Sequence, residues 1–256
     1  MFMKINNKAY GFTITLIEFE ETIPTLWDHT KQFMKLHPDY FASDNLVEFV
    51  IDNGDFESSS YNLCHFWSNF EIGDINFFRS RQYKDYFEYL DKTGGFFYER
   101  WGDAPVHSIA ASLFLNKSQV YHFKDIGYVH DGMGHCPLGE KQFHENGRCN
   151  CNVADSVTLL EDFCMGDWWW ASREGRPSER EEYQALIDEL ENEDNWVEEG
   201  EGEEGQEDET AGDENSEVFD RRHIKERHSS RLLRQKRRAR MSQQRNLKKR
   251  KWLSRS

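Results

Sequence analysis

The sequence predicts an α/β fold within residues 1–173 of a 256-residue chain, and three observations carry that reading. Short period-two apolar segments alternate with helically spaced ones, the pattern of strands interleaved with helices. The 19 Phe, 10 Tyr and 8 Trp fall almost entirely before residue 174, so that part can fill a core. Beyond it the composition turns to blocks of like charge with little to bury.

The elements follow in order. Tyr10, Phe12, Ile14 and Leu16 alternate with smaller or polar residues and read as one strand. Ile23, Leu26, Trp27, Thr30, Phe33, Met34 and His37 recur at helical spacing, with Thr22 placed to cap, Pro24 in the first turn and Pro38 as the stop. A shorter helix is expected from Leu46 to Ile51, then a polar loop to Ser60. Tyr83, Tyr86, Phe87 and Leu90 mark the next helix, which Gly94 and Gly95 end. Val106, Ile109 and Leu113 mark another, with Asp103 placed to cap it and Pro105 in its first turn. Val120 to Phe123 reads as a strand.

After residue 173 the grammar changes. Residues 174–197 form a linker in which Tyr183, Leu186, Ile187 and Leu190 are helically spaced. Residues 198–220 are an acidic segment expected to be disordered, and 221–256 a basic tail. The chain's net charge of -15 conceals this split, since half of its 32 Lys and Arg lie in the last 36 positions. Basic runs at 234–238 and 248–251 resemble nuclear-localisation or phosphate-binding patches. Only Trp252 is interleaved with them, so base stacking is poorly supported and nucleic acid is not the expected partner. No apolar run reaches the about 20 residues that a membrane-spanning helix needs, and the first ten residues lack a secretory signal's apolar stretch.

Three segments concentrate the chemistry: 61–73, containing CHFWSNFE; 94–108, containing FFYERWGDAPVHS; and 126–130, ending at His130. Each places polar groups among aromatics at an element end, surroundings that exclude water and shift carboxylate pKa values. Their spacing matches no metal or triad signature.

At these residues, from Asn6 through Cys164, the chain closely resembles the fungal Golgi α-1,2-mannosyltransferases of glycosyltransferase family 15. The resemblance implies a GT-A-like α/β fold, GDP-mannose as donor, a mannosylated glycoprotein as acceptor, Mn²⁺ as cofactor and retention at the anomeric carbon. It assigns Glu71 as catalytic nucleophile and His130 as a ligand to the manganese on the donor diphosphate. Asp103 is the candidate general base, or else a structural helix cap. Arg100 pairs with a carboxylate or with phosphate, Trp67 and Trp101 are candidates to stack on sugar rings, and His107 to approach the acceptor groove. Family members begin with an anchor, a stem and a donor-binding half carrying an acidic metal motif. The chain opens after that point, so it is expected to hold the acceptor-side and catalytic part, as a truncated product.

The family's disulfides place Cys64, Cys136, Cys149, Cys151 and Cys164 in an oxidising lumen. Cys136 would pair with Cys149 or Cys151, and the odd count leaves one partner missing or one thiol free. Asn116-Lys117-Ser118 is a glycosylation sequon consistent with the same compartment. The Golgi lumen is therefore the expected location. The competing reading is a non-catalytic scaffold, nuclear or cytoplasmic, whose basic tail does the binding.

Overall fold

The computed structural model describes residues 1–172 except 53, 54, 146, 161 and 162. The helix expected within 179–193 and both charged tails lie outside the described residues.

Helix α1 (Phe2–Ile5) leads into β1 (Tyr10–Phe12). The alternating segment does not continue as one strand: β2 (Thr15–Ile17) belongs to a different sheet. The break has a local cause. The Thr13 carbonyl accepts from His122 Nε2 at 3.0 Å, and the Ile14 carbonyl accepts from the Trp67 amide at 2.9 Å. Neither oxygen remains for β1's own ladder, so the chain turns there.

Helix α2 (Leu26–Leu36) starts later than expected, because Thr22 closes a 3₁₀ turn over Glu20–Thr22. Thr25 flanks the helix instead, its amide and hydroxyl both donating to the Glu99 carboxylate, at 3.2 and 2.6 Å. The stop at His37-Pro38 is as expected. Next come α3 (Val47–Val50), β3 (Cys64–Phe66), β4 (Glu71–Gly73) and α4 (Ile75–Phe78). The Ser80 hydroxyl caps α5 (Arg81–Thr93) by accepting from the Tyr83 amide, and Gly94 ends it in the left-handed region at φ 82°. That conformation favours glycine. After α6 (Gly95–Tyr98) and α7 (Asp103–Phe114), β5 (Val120–His122) returns to the sheet. Strands β6 (Tyr128–His130) and β7 (Met133–His135) form a hairpin, closed by Asp131 and Gly132 at φ 50° and 78°. Positive φ at both residues is the type I′ geometry that suits strand twist. Helix α8 (Met165–Ser172) ends the described region.

The three-stranded sheet runs β4-β1-β5, with β4 antiparallel and β5 parallel to β1, while β2 pairs antiparallel with β3. The register sets Phe12 opposite both Glu71 and His122. The core gathers around Phe12, which stacks on Phe66 at 4.3 Å between centroids and meets the Trp168 edge at 4.9 Å. Phe49 stacks on the other side of Phe66 at 4.6 Å. Helix α7 docks here through buried Ser108, whose hydroxyl accepts from the Phe66 amide at 2.7 Å and donates to the Ala104 carbonyl at 2.6 Å. A Cys64–Cys164 disulfide ties β3 to the start of α8, and Cys136–Cys151 staples the segment after β7. Cys149 is the free thiol among the described residues.

Candidate active site

Glu71 opens β4 beside Phe12, facing the N-terminal half of α7. Its side chain is 22% exposed, half out of water but reachable from solvent. The Tyr10 hydroxyl donates to Oε2 at 2.6 Å, and His107 Nδ1 lies 3.1 Å from both carboxylate oxygens. Sequence periodicity pointed to neither contact, since the partners lie 61 and 36 residues away. Burial and the neighbouring Glu71 charge push the Tyr10 phenol well above its ordinary pKa, so it stays a donor. The same two causes raise Tyr83, which lies on α5 with its ring 6.0 Å from the His107 ring. The Phe78 ring stands 5.1 Å from that imidazole. Phe78 reaches this place across Gly73, where an added Cβ would sit 2.2 Å from its ring.

Asp103 is exposed at the first residue of α7, one helical turn before His107 and so on the same face. It does not cap the helix. The N-cap is Gly102, and no side-chain capping bond forms. The reason is placement: a capping side chain belongs to the residue before the first helical one and accepts from an amide two or three residues on, and Asp103 is already inside. Its negative charge still bears on Tyr10 and Tyr83, which puts it beside the Glu71 pocket.

The two tryptophans part company. Trp67 is half-exposed on the turn between β3 and β4, its ring edge-on to His130 at 5.2 Å. Trp101 is 5% exposed, and the expectation that it stacks on a sugar is corrected. Its Nε1 donates to Glu99 at 2.6 Å, and its ring covers Gly95, where an added Cβ would come within 2.2 Å. Trp101 therefore packs the base of α6 and leaves no free face for a ligand.

Arg100 is exposed and forms no side-chain ion pair among the described residues; its amide donates to the Thr22 carbonyl at 2.8 Å. His130 is exposed at the end of β6, with Asp131 beside it in the hairpin turn. Phe70, next to Glu71, packs on Tyr128 at 5.3 Å, so the β3–β4 turn rests against the hairpin. His122 and His135 are buried elsewhere, bonded to Thr13, Thr158 and Lys124. Burial takes His122 down to about 3.

Comparison with known proteins gives this geometry a context. Residues 1–173 match the glycolipid 2-alpha-mannosyltransferase family. Candida albicans glycolipid 2-alpha-mannosyltransferase 2 is 50% identical over 183 residues, 72% of this chain and 39% of that one. The Schizosaccharomyces pombe O-glycoside alpha-1,2-mannosyltransferase homolog 3 is 52% identical over 63% of this chain and 43% of its own length. The chain thus spans about two fifths of these curated relatives. Among solved structures, the Saccharomyces cerevisiae mannosyltransferase Ktr4p bound to GDP superposes with a TM-score of 0.61 at 39% identity, over 70% of this chain and 47% of that one. Core-mannan synthase A from Aspergillus fumigatus, in its Mn/GDP form, gives 0.59 at 41%, over 67% and 47%. The α/β architecture is common to all three.

Proposed function

The chain belongs to the glycolipid 2-alpha-mannosyltransferase family, and from that membership we propose that it carries the catalytic, acceptor-facing part of a retaining mannosyl transfer from GDP-mannose to a mannosylated glycoprotein. The observation that carries the reading is the largely buried but solvent-reachable Glu71 carboxylate, fixed by Tyr10 and His107. A carboxylate held in one orientation at a solvent-reachable strand end is what a double displacement requires.

In the first step a Glu71 oxygen bonds to the anomeric carbon while the bond from that carbon to the phosphate oxygen breaks, its electron pair leaving with GDP. In the second, an acceptor hydroxyl oxygen attacks the same carbon from the vacated face. The bond to Glu71 breaks and the hydroxyl proton passes to Asp103. Two inversions give retention. Trp67, half-exposed beside His130, is suited to cover a sugar ring. Exposed Arg100 is available to an anionic group of donor or acceptor.

His130 fits a role as one ligand to Mn²⁺, because its imidazole is exposed on a tight hairpin and suits a first-row divalent ion. When bound, the ion would neutralise charge on the donor diphosphate, whose oxygens complete its coordination. The two disulfides favour an oxidising compartment, consistent with the Golgi lumen.

The test is mannose transfer from GDP-mannose to methyl α-mannoside with Mn²⁺, in the chain fused at Asn6 behind the donor-binding segment of a relative. Glu71→Gln should lower kcat at least about a hundredfold while leaving the donor KM nearly unchanged, the pattern of a group acting in the transition state. If Glu71→Gln transfers at the parental rate while Asp103→Asn is dead, the double displacement is wrong, and a front-face mechanism centred on Asp103 replaces it.

A further inference from the structure

Glu71 has two oxygens, and the structure does not treat them alike. Oε2 takes the short Tyr10 bond at 2.6 Å and shares the His107 proton, whereas Oε1 has His107 alone at 3.1 Å. A carboxylate has room for about four acceptor directions, so Oε1 keeps the greater capacity for a new bond. We infer that Tyr10 and His107 are positioning residues that hold Glu71 with Oε1 as the oxygen presented to the anomeric carbon, His107 standing in its Nδ1–H tautomer.

Each part rests on geometry. Tyr10 is fully buried on the central strand and cannot swing away, so its hydroxyl fixes one end of the carboxylate. The carboxylate accepts only, so the proton between it and His107 belongs to Nδ1. The imidazole packs against the tilted Phe78 ring from α4 and the edge of Tyr83 from α5. The charged or titratable groups facing it are Glu71 on β4, Tyr10 on β1, Tyr83 on α5, and Asp103 one turn earlier on its own helix. No basic side chain among the described residues pairs with Glu71 in His107's place. The clamp therefore holds an anion with neutral or histidine donors, which fixes its direction without neutralising it with a permanent cation. A lysine or arginine there would bind the carboxylate more tightly and blunt its nucleophilicity.

The inference rests on the double-displacement reading, so its test has one arm that needs no turnover. Nitrogen-15 NMR of the imidazole in the full chain should show Nδ1 protonated in the parent, and should revert toward the Nε2–H form usual for free histidine in Glu71→Ala. Parental His107 in the Nε2–H form, or no response to Glu71→Ala, overturns the positioning inference whatever the enzyme's rate. The expected tautomer together with a fully active Glu71→Gln would instead sink the double displacement and leave the hydrogen-bond clamp standing as architecture.

The kinetic arm separates positioning from simple stability. In the same fusion, Tyr10→Phe and His107→Leu should each lower kcat about 10- to 100-fold, the scale of a misplaced reacting group, with the GDP-mannose KM within about twofold. His107→Asn, which can present an amide N–H near the Nδ1 position, should recover most of the loss. Rates that fall only in step with melting temperature, or a His107→Asn as slow as His107→Leu, would reduce both residues to packing.

Discussion

Removing the Cys64–Cys164 disulfide is the perturbation whose cost follows most directly from topology. The bridge closes 100 residues of chain, from β3 to the start of α8. Chain-entropy reasoning assigns such a loop about 4.7 kcal/mol at 25 °C, against about 3 kcal/mol for a 15-residue loop like that of Cys136–Cys151. Both members of the larger bridge are almost fully buried, so Cys64→Ala with Cys164→Ala also forfeits sulfur packing. The expected loss is about 4 kcal/mol, about a quarter or more of the stability of an ordinary domain, and a melting temperature lower by about 8–16 °C. Urea unfolding followed by far-ultraviolet circular dichroism and by tryptophan fluorescence measures it. Trp168 packs edge-on to Phe12 and Phe66 just beyond the bridge, and three of the chain's eight tryptophans lie in α8, so a large share of the fluorescence reports that helix. Coincident transitions mean that the whole domain is destabilised; a fluorescence transition that comes first means α8 peels away alone. A loss below about 1 kcal/mol, or one smaller than that of the Cys136→Ala, Cys151→Ala pair, would refute the loop argument.

Three further outcomes are expected. Gly95→Ala drives a Cβ to 2.2 Å from the Trp101 ring; the clash should cost about 1–3 kcal/mol and blue- or red-shift tryptophan fluorescence. Stability should fall on acidification from about pH 6.5 toward 4, because the unfolded chain takes up a proton near 6.5 that buried His122, at about 3, refuses. The loss approaches about 1.4 kcal/mol per pH unit for this one group; it is absent above the unfolded value, and His122→Gln, which still offers Thr13 a donor, should flatten the profile. Asp103→Asn should change folding stability by no more than about 0.5 kcal/mol, because no capping bond is there to lose; a drop of 1 kcal/mol or more in denaturant titration would restore the capping role.

Local chemistry explains which parts of the fold were legible. Helix α5 could be read because its stop, Gly94, sits next to its last turn. The end of β1 could not, because what interrupts the strand are His122 and Trp67, 109 and 53 residues away. Helix α2 was placed too early for a similar reason: Thr25 is satisfied by Glu99, 74 residues later. The site divides likewise. Glu71 was singled out through the family resemblance alone, and Tyr10 carries no local mark, being one aromatic in an apolar strand until register sets β1 beside β4. Trp67 and Trp101 look alike in sequence. Burial separates them, and it is decided by a glycine six residues before Trp101 whose missing side chain admits the indole.

The two groups proposed to act on the donor, Glu71 and His130, rest on differently packed supports. Glu71 lies against the most tightly packed part of the domain: its cross-strand neighbour Phe12 is locked by Phe66, His122 and Trp168. A nucleophile gains from such fixity, since small misplacements of a reacting atom are expensive. His130 instead stands at the tip of a two-stranded hairpin, its ring meeting the edge of Trp67 and its turn open to solvent. The hairpin's firm anchor is at the far end, where His135 bonds Thr158 and Lys124. Buried His135 and exposed His130 thus divide the work of one hairpin. The first pins it to the fold, and the second stands exposed beside Trp67, as the proposed ligand role requires.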